Sequence, residues 1–488
     1  MKNVKKTARS VLWSGVEVGG VAGLQFVTLI IMARLLSPAD FGVVALCYSV
    51  IMIQVILVTG LFNEAIIQRR ELSRAHLDSA FWTVLGICIV MIAGSWASAS
   101  YLAEAFKEPV LEPVFSWMSI SLLAQGVSTV HIAKFRRDLN FKAIALRTVI
   151  GDLMGSLVGI AMALNGFGVW SFVGMRLVSA TVATSLVWIS SPYRPGFSLA
   201  WTALWDLLRF GLPALGTQLV ETGRQRLLPV LIGYFLGVTA LGFIDIAYRI
   251  TMNIRRMLAG ALYGVFLPLL SRHQDNRAHL KRSVIRATEF TCLLVQPMFA
   301  GLAACAEEVV ILMLGAQWLP TVPLVQILCG VAMLESARQA FGTAIIALGK
   351  PQIALMMMAT SLALSILAVL VFGRHDMVAA IFAWNAQILV TAPLSFFLVR
   401  RFVGLKFGEQ AAAFIGPLAI AALMGMGLFA MKNGWISGLD AISTLLIIVP
   451  LGALFYAGAI MLLQPKLIPE FFQFLLGAFR RNDSVAAE

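Results

Sequence analysis

Residues 211–237 read GLPALGTQLVETGRQRLLPVLIGYFLG, an apolar run with Glu221, Arg224 and Arg226 near its middle. A charged side chain at the centre of a membrane-spanning helix costs about 2.5–3.5 kcal/mol on insertion scales. Charges that expensive pair with one another or line a water-filled path. The reading of this stretch therefore turns on whether it lies in a membrane, and if so what its charges face.

Composition answers the first question. Of 488 residues, 60% are hydrophobic and 12% charged, and the mean hydropathy is +0.88. A soluble domain carries about 25% charged residues, so this is an integral membrane protein. Its apolar runs recur along the whole chain at the length a helix needs to cross a bilayer, about twenty residues, which excludes barrel strands. The fold class is all-α. The amino end, MKNVKKTARS, is a basic head before the apolar run 11–33. That run exceeds the apolar region of a signal peptide (about 7–15 residues), holds Glu17 and lacks a small-residue cleavage site, so it reads as a retained first span.

Apolar runs set against charged breaks place spans near 11–33, 41–62, 80–101, 114–133, 148–165 and 169–189. A second set follows near 210–233, 242–268, 289–306, 319–346, 352–372 and 378–398, and a last pair near 411–431 and 441–463. The expectation is about 14 transmembrane helices. They divide into a six-helix lobe (1–200), a second six-helix lobe (201–405), an additional helix pair (406–465) and an amphipathic tail (466–488). With the amino end inside, 26 of the 37 Lys and Arg fall in cytoplasmic segments, four fall outside, and seven lie within spans. Cytoplasmic enrichment of Lys and Arg orients membrane proteins, so both termini are expected in the cytoplasm, in the inner membrane of a bacterium. The same bias accounts for much of the net charge of +13 without a nucleic-acid partner.

The loops are short. The longer ones, around SPYRPGFSLAWTALWDLL and SRHQDNRAHLKRSVIRAT, and the tail KLIPEFFQFLLGAFRR, read as amphipathic helices at the cytoplasmic surface. The five cysteines (Cys47, Cys88, Cys292, Cys305, Cys329) lie in apolar runs at no metal-ligand spacing, and the five histidines sit mostly in loops, so no metal or other cofactor is expected. GTAIIALGKP has a Gly-Lys pair followed by proline, where a phosphate-binding loop needs Ser or Thr. Nothing resembles a nucleophile with its base, and no enzyme is expected. Gly15, Gly19 and Gly23, four apart in the first span, read as a close helix contact. Pro213 and Pro229 bracket ETGRQR as candidate helix breakers.

An internal repeat links the two halves. ARLLSPADFGVVALCY at 33–48 and GYFLGVTALGFIDIAY at 233–248 share Leu36/Leu236, Gly42/Gly242 and Tyr48/Tyr248 at an offset of 200. Two related six-helix sets around a path are common in secondary transporters.

The run ARLLSPADFGVVAL, then IIQRRELSRAHLDSAFW, KFRRDLNF and GFGVWS, and in the second half LIGYFLGVTALGFIDIAYRI, VFLPLLSRHQD and ILMLGAQWLPTVPLVQIL, resemble the polysaccharide transporter branch of the multidrug/oligosaccharidyl-lipid/polysaccharide exporter superfamily. The likeness is strongest to Wzx-type flippases and runs from about residue 8 to about 400. It implies two six-helix lobes around a central cavity, alternating access, and an undecaprenyl-diphosphate-linked oligosaccharide as cargo. It also implies membrane lipid, a polymerase and a chain-length regulator as partners. The alternatives are a peptidoglycan lipid-precursor flippase and a cation-coupled multidrug exporter of the same superfamily.

The residues themselves support an anionic cargo. The seven basic residues within spans are all arginine: Arg176, Arg224, Arg226, Arg249, Arg255, Arg256 and Arg338. Arginine grips phosphate through two parallel hydrogen bonds, and a cavity rich in it repels organic cations. The competing reading is mutual neutralisation. Glu221 and Arg224, and Glu335 and Arg338, are three apart, and Asp245 and Arg249 four apart, so each pair shares a helix face. Arg255 and Arg256 have no acid nearby in sequence, and Arg226 has none on its face. Arg176 stands alone in the sixth span. The carboxylates within spans, Glu17, Glu221, Glu335 and Asp152, are the candidates for binding a coupling H+ or Na+.

Overall fold

The apolar runs fold as α-helices. The computed structural model describes residues 2–272, 277–436, 438–465 and 469, with every side chain there except those of 2–12, 14, 16, 17, 224, 256–272, 339, 340 and 351. Among the described residues there are 17 α-helices, one 3-10 helix and no strand. They form two compact units, Met1–Gly242 and Phe243–Glu488.

The first unit holds α1 (Lys2–Leu35), α2 (Pro38–Thr59), α3 (Asn63–Gln68), α4 (Arg74–Phe106), α5 (Leu111–Ser119), α6 (Ser121–Arg137), α7 (Phe141–Leu164), α8 (Trp170–Ser190) and the first part of α9 (Trp201–Arg272). The motif LLSPADFG is a helix start. The Ser37 hydroxyl accepts from the Asp40 amide (3.2 Å), the Asp40 carboxylate accepts from the Ser37 amide (3.0 Å), and Pro38 occupies the first turn, where its missing N–H costs nothing. Two other motifs meet at one end of the unit. The Arg137 guanidinium, from KFRRDLNF, donates to the carbonyl oxygens of Ile66 (2.9 Å), Arg70 (2.9 Å) and Arg69, all from IIQRR, and so satisfies the end of α3.

The segment 191–200 is irregular rather than helical. Tyr193 and Ser198 donate to the buried Asp78 at 2.6 and 3.0 Å, and the Trp82 indole donates to the Gly196 carbonyl at 2.8 Å. Burial, with the Asp78 carboxylate beside it, pushes the Tyr193 hydroxyl well above its ordinary pKa, so it stays a donor. The residues expected to form surface helices beyond 191–200 and at 277 onward instead extend the membrane helices α9 and α10; the tail 466–488 lies outside the described residues, apart from 469.

Close glycine-mediated contact occurs, but not along Gly15, Gly19 and Gly23 of the first span. Gly15, Gly19 and Gly23 have no atom within 4 Å of where a Cβ would stand. The close approach is that of α7 to α8, where a Cβ on Gly155 would lie 2.5 Å from the Met175 carbonyl oxygen and one on Gly151 2.9 Å from Ala183 Cβ. Four-residue spacing defines a face on both helices; only α7 has a neighbour against it. The helix break expected at the prolines is also elsewhere. α9 continues through Pro213 and Pro229 and turns at Gly237 (φ 82°, ψ 170°), a conformation open essentially to glycine alone.

The second unit holds α10 (Arg277–Ala304), α11 (Ala306–Met313), a 3-10 helix (Ala316–Thr321), α12 (Val322–Ala347), α13 (Pro351–Phe372), α14 (Met377–Asn385), α15 (Ile388–Phe402), α16 (Phe407–Gly434) and α17 (Ala441–Leu463). α16 packs along α10, with Gly425 against Ala300. Lys432 fastens its end to α11 through Glu307 (3.0 Å) and Glu308 (2.8 Å).

Among the described residues, 12 helical stretches are long and apolar enough to cross a membrane. The difference from the expected 14 has two sources. The stretch 201–255 is counted once although Gly237 bends it into two arms, and the α5–α6 path, interrupted at Ile120, is not counted.

Candidate functional site

In the first unit, helices remote in sequence bring two of the intramembrane arginines onto one ring. The Arg226 guanidinium lies 5.1 Å and that of Arg176 5.6 Å from the centroid of Tyr48. Tyr48 comes from α2, Arg176 from α8 and Arg226 from α9. Arg176 Nε donates to the Ser121 hydroxyl at 3.3 Å, just past the interruption at Ile120. Its Nη2 is buried and has no hydrogen-bond partner among the described residues. Leaving a buried guanidinium N–H unpaired costs about 1–3 kcal/mol or more, and none of the described residues supplies the acceptor. Arg176, solitary in sequence, belongs to the best-defined cationic cluster of the unit. Glu221 accepts from the Gln225 amide at 2.6 Å, one turn along its own helix. The side chains of Glu17, Arg224 and Arg256 lie outside those described.

In the second unit three of the arginines within spans, Arg249, Arg255 and Arg338, are met by acids. Arg249 pairs with Asp245 one turn before it, as their spacing predicts. Arg255, which has no acid near it in sequence, pairs with Glu335 of α12, eighty positions on. Glu335 also faces Arg338 at 3.7 Å, so one buried carboxylate sits between two guanidinium groups. Arg338 further donates to the Thr391 hydroxyl, which donates to Gln387 Oε1 at 2.7 Å, where the path from α14 to α15 is interrupted. Arg255 and Arg338 thus share the one carboxylate of Glu335. Tyr248, the repeat partner of Tyr48, stacks flat on Trp384 with centroids 4.5 Å apart.

Asp152 has a different environment. Gln25 of α1 donates to one of its carboxylate oxygens at 3.2 Å and Ser179 of α8 to the other at 2.8 Å. One turn further, Thr28 donates to Ser156 at 2.9 Å. The sequence places Asp152 near the start of the fifth span because Lys142 and Arg147 read as loop. The helix in fact begins at Phe141, so Asp152 lies about 16 Å along it, near the middle of its 24 residues. Lys142 is accommodated with its ammonium 5.7 Å from the Trp13 ring.

Comparison with known proteins adds to this geometry. Residues 31–323 match the profile of the family described as "Polysaccharide biosynthesis protein". The chain is 30% identical over 317 residues to the succinoglycan biosynthesis transport protein ExoT of Rhizobium meliloti (strain 1021), covering 65% of this chain and 64% of that protein, just under two thirds of its length. It is 22% identical over 345 residues to the lipopolysaccharide biosynthesis protein WzxC of Escherichia coli (strain K12), covering 70% of each. Among solved structures, the lipid II flippase MurJ in an inward closed conformation superposes with a TM-score of 0.77 at 13% identity, over 94% of this chain and 100% of that one. At that identity the likeness speaks for the fold.

Proposed function

We propose that this chain, which belongs to the polysaccharide biosynthesis protein family, is a membrane flippase. It carries lipid-linked oligosaccharide, with an undecaprenyl diphosphate as the lipid carrier, from the cytoplasmic to the periplasmic leaflet of the bacterial inner membrane by alternating access. The observation that carries this reading is the Arg176–Tyr48–Arg226 cluster, with Arg176 Nη2 buried and unpartnered. A lipid diphosphate cannot enter hydrocarbon without counter-charge, and guanidinium groups match phosphate oxygens in shape as well as sign. The names of the relatives, transport and biosynthesis proteins for succinoglycan and lipopolysaccharide, support a saccharide as the remainder of the cargo.

The reading is tested in vesicles holding the purified chain and a fluorescent lipid-linked oligosaccharide. Arg176→Gln and Arg226→Gln are expected each to slow translocation by about tenfold or more, the equivalent of one lost charge-assisted contact. Full rates in both folded variants would remove the diphosphate path. The likeness to a lipid II flippase supports a second reading with the same chemistry, a peptidoglycan precursor as cargo. Supplying lipid II in the same vesicles separates the two.

For energy coupling, the three candidate carboxylates with described side chains are unequal. Glu335 is held by two arginines and Glu221 by Gln225. Asp152 accepts from neutral donors on two neighbouring helices, and no described ammonium or guanidinium lies within ion-pair distance of it. A proton or Na+ is best accommodated there.

A further inference from the structure

We infer that the second unit carries a phosphate-binding pocket at the end where α10 and α13 begin and α15 finishes, sharing no residue with the arginine clusters above. The pocket has a volume of about 230 Å³ and is lined by Arg277, Leu280, Leu348, Lys350, Arg401 and Phe402. Three different elements supply its cations: Arg277 is the first described residue of α10, Lys350 the N-cap of α13, and Arg401 lies in the last turn of α15.

These cations are gathered rather than dispersed. The Lys350 ammonium stands 3.9 Å and the Arg401 guanidinium 5.8 Å from the centroid of the same ring, Phe402. No carboxylate is among the described residues that line the pocket. The ion pairs of the described residues in this unit involve Arg249, Arg255, Arg286, Arg338 and Lys432, and none of the three pocket cations. Like charges brought together in this way repel, and the ring face offsets only part of that repulsion. An anion shared among them relieves the rest. The start of α13 adds the partial positive charge of a 22-residue helix on the same side.

Size and lining narrow the ligand. Pockets for drug-sized molecules run about 300–1,000 Å³, so this one takes a phosphate or diphosphate group and leaves any saccharide or chain outside. Two arginines and a lysine suit phosphoryl oxygens, the arginines bidentately and the lysine as a point charge. Leu280, Leu348 and Phe402 give the pocket an apolar wall. Both a soluble phosphate compound and a lipid headgroup offer the required group. The Lys and Arg bias places this end of the unit on the expected cytoplasmic side, where both sources are present.

The test is a lysine footprint on the full-length chain in phosphatidylcholine nanodiscs. Amine-reactive labelling of Lys350 is followed by mass spectrometry, with exposed Lys107 as the internal reference. The measurement is made with inorganic pyrophosphate in solution and, separately, with undecaprenyl diphosphate in the disc. We expect saturable protection of Lys350 and not Lys107, weakened about tenfold or more in Arg277→Gln/Arg401→Gln. Protection by pyrophosphate alone assigns a soluble ligand, and protection by the lipid alone assigns a headgroup; either supports the pocket. No protection by either probe, or protection that persists unchanged in the folded double variant, overturns it. The readout is binding, so it stands or falls apart from translocation. Carrying Arg176→Gln/Arg226→Gln in the background removes any contribution from the first unit's cluster.

Discussion

Gly42 and Gly242 meet backbone to backbone within the first unit, in a contact that repeats itself. A Cβ on Gly42 would lie 1.7 Å from the carbonyl oxygen of Val238, and a Cβ on Gly242 would lie 2.0 Å from that of Pro38. The offset of 200 that relates the two glycines also relates Pro38 to Val238, so the contact is reciprocal. The repeat noted in sequence is therefore a packing unit, with each copy's first turn set against the other copy's glycine.

That geometry predicts an asymmetric response to adding one methyl group. In Gly42→Ala or Gly242→Ala the new carbon meets a main-chain carbonyl, which cannot swing away as a side chain can. Overpacking of this kind costs about 1–3 kcal/mol, and with the backbone as obstacle the upper part of that range is expected. Gly19→Ala, where nothing lies within 4 Å, is expected to be neutral or slightly stabilising, since alanine favours helix over glycine by about 1 kcal/mol. Thermal unfolding of the detergent-solubilised variants measures both. A Gly42→Ala protein as stable as the parent contradicts the contact.

Tyr48 is expected to matter through its ring and not its hydroxyl. A guanidinium over an aromatic face gains about 0.5–2 kcal/mol depending on desolvation, and here one ring serves both Arg176 and Arg226. Tyr48→Phe should retain translocation in the vesicle assay, while Tyr48→Leu should slow it severalfold without loss of folded protein. Combining Tyr48→Leu with Arg226→Gln should slow it less than the two single effects multiplied, because both disturb one cluster. Multiplicative effects would show that the ring does not organise the pair.

Much of the architecture was legible because membrane helices announce themselves by composition and length, whereas the pairings inside them do not. The spacing of Asp245 and Arg249 was enough to foresee their ion pair. No local pattern joins Arg255 to Glu335, or Arg176 and Arg226 to the ring of Tyr48, since each contact is made by helices distant along the chain. The glycine spacing in α1 and α7 shows the same limit, for it marks a face without saying what lies opposite. RAHL occurs at 74–77 and again at 277–280, opening α4 and α10, with Leu77 and Leu280 both buried. It supports the internal repeat more strongly than the scattered identities at 33–48 and 233–248.

Glu335 is expected to be a stability residue before anything else. With two guanidinium groups on one buried carboxylate, Glu335→Gln leaves uncompensated positive charge in the bundle. Breaking a buried ion pair from one side costs about 3–5 kcal/mol; Arg255 is one-third exposed (34%), which argues for the lower end. Removing Arg338 as well, in Glu335→Gln/Arg338→Met, should recover part of the loss in thermal stability. A single variant that unfolds like the parent would mean that water already screens the cluster.

Asp152 provides the sharpest test of coupling. Its carboxylate oxygens are each engaged by a neutral donor, Gln25 and Ser179, from helices on either side of α7. A cation arriving there must displace or reorient those donors, and a shift of α1 or α8 relative to α7 does the same work from the protein's side. Asp152→Asn keeps the size of the group and removes its charge. The expected outcome is a chain that still folds and still moves lipid-linked oligosaccharide down its concentration gradient, but no longer accelerates when a proton or sodium gradient is imposed across the vesicle. Gln25→Leu should weaken the gradient response without abolishing it, because the charge remains while one of its two donors is lost. If Asp152→Asn responds to both gradients as the parent does, the coupling carboxylate lies elsewhere and the Gln25–Asp152–Ser179 link is a packing contact between three helices.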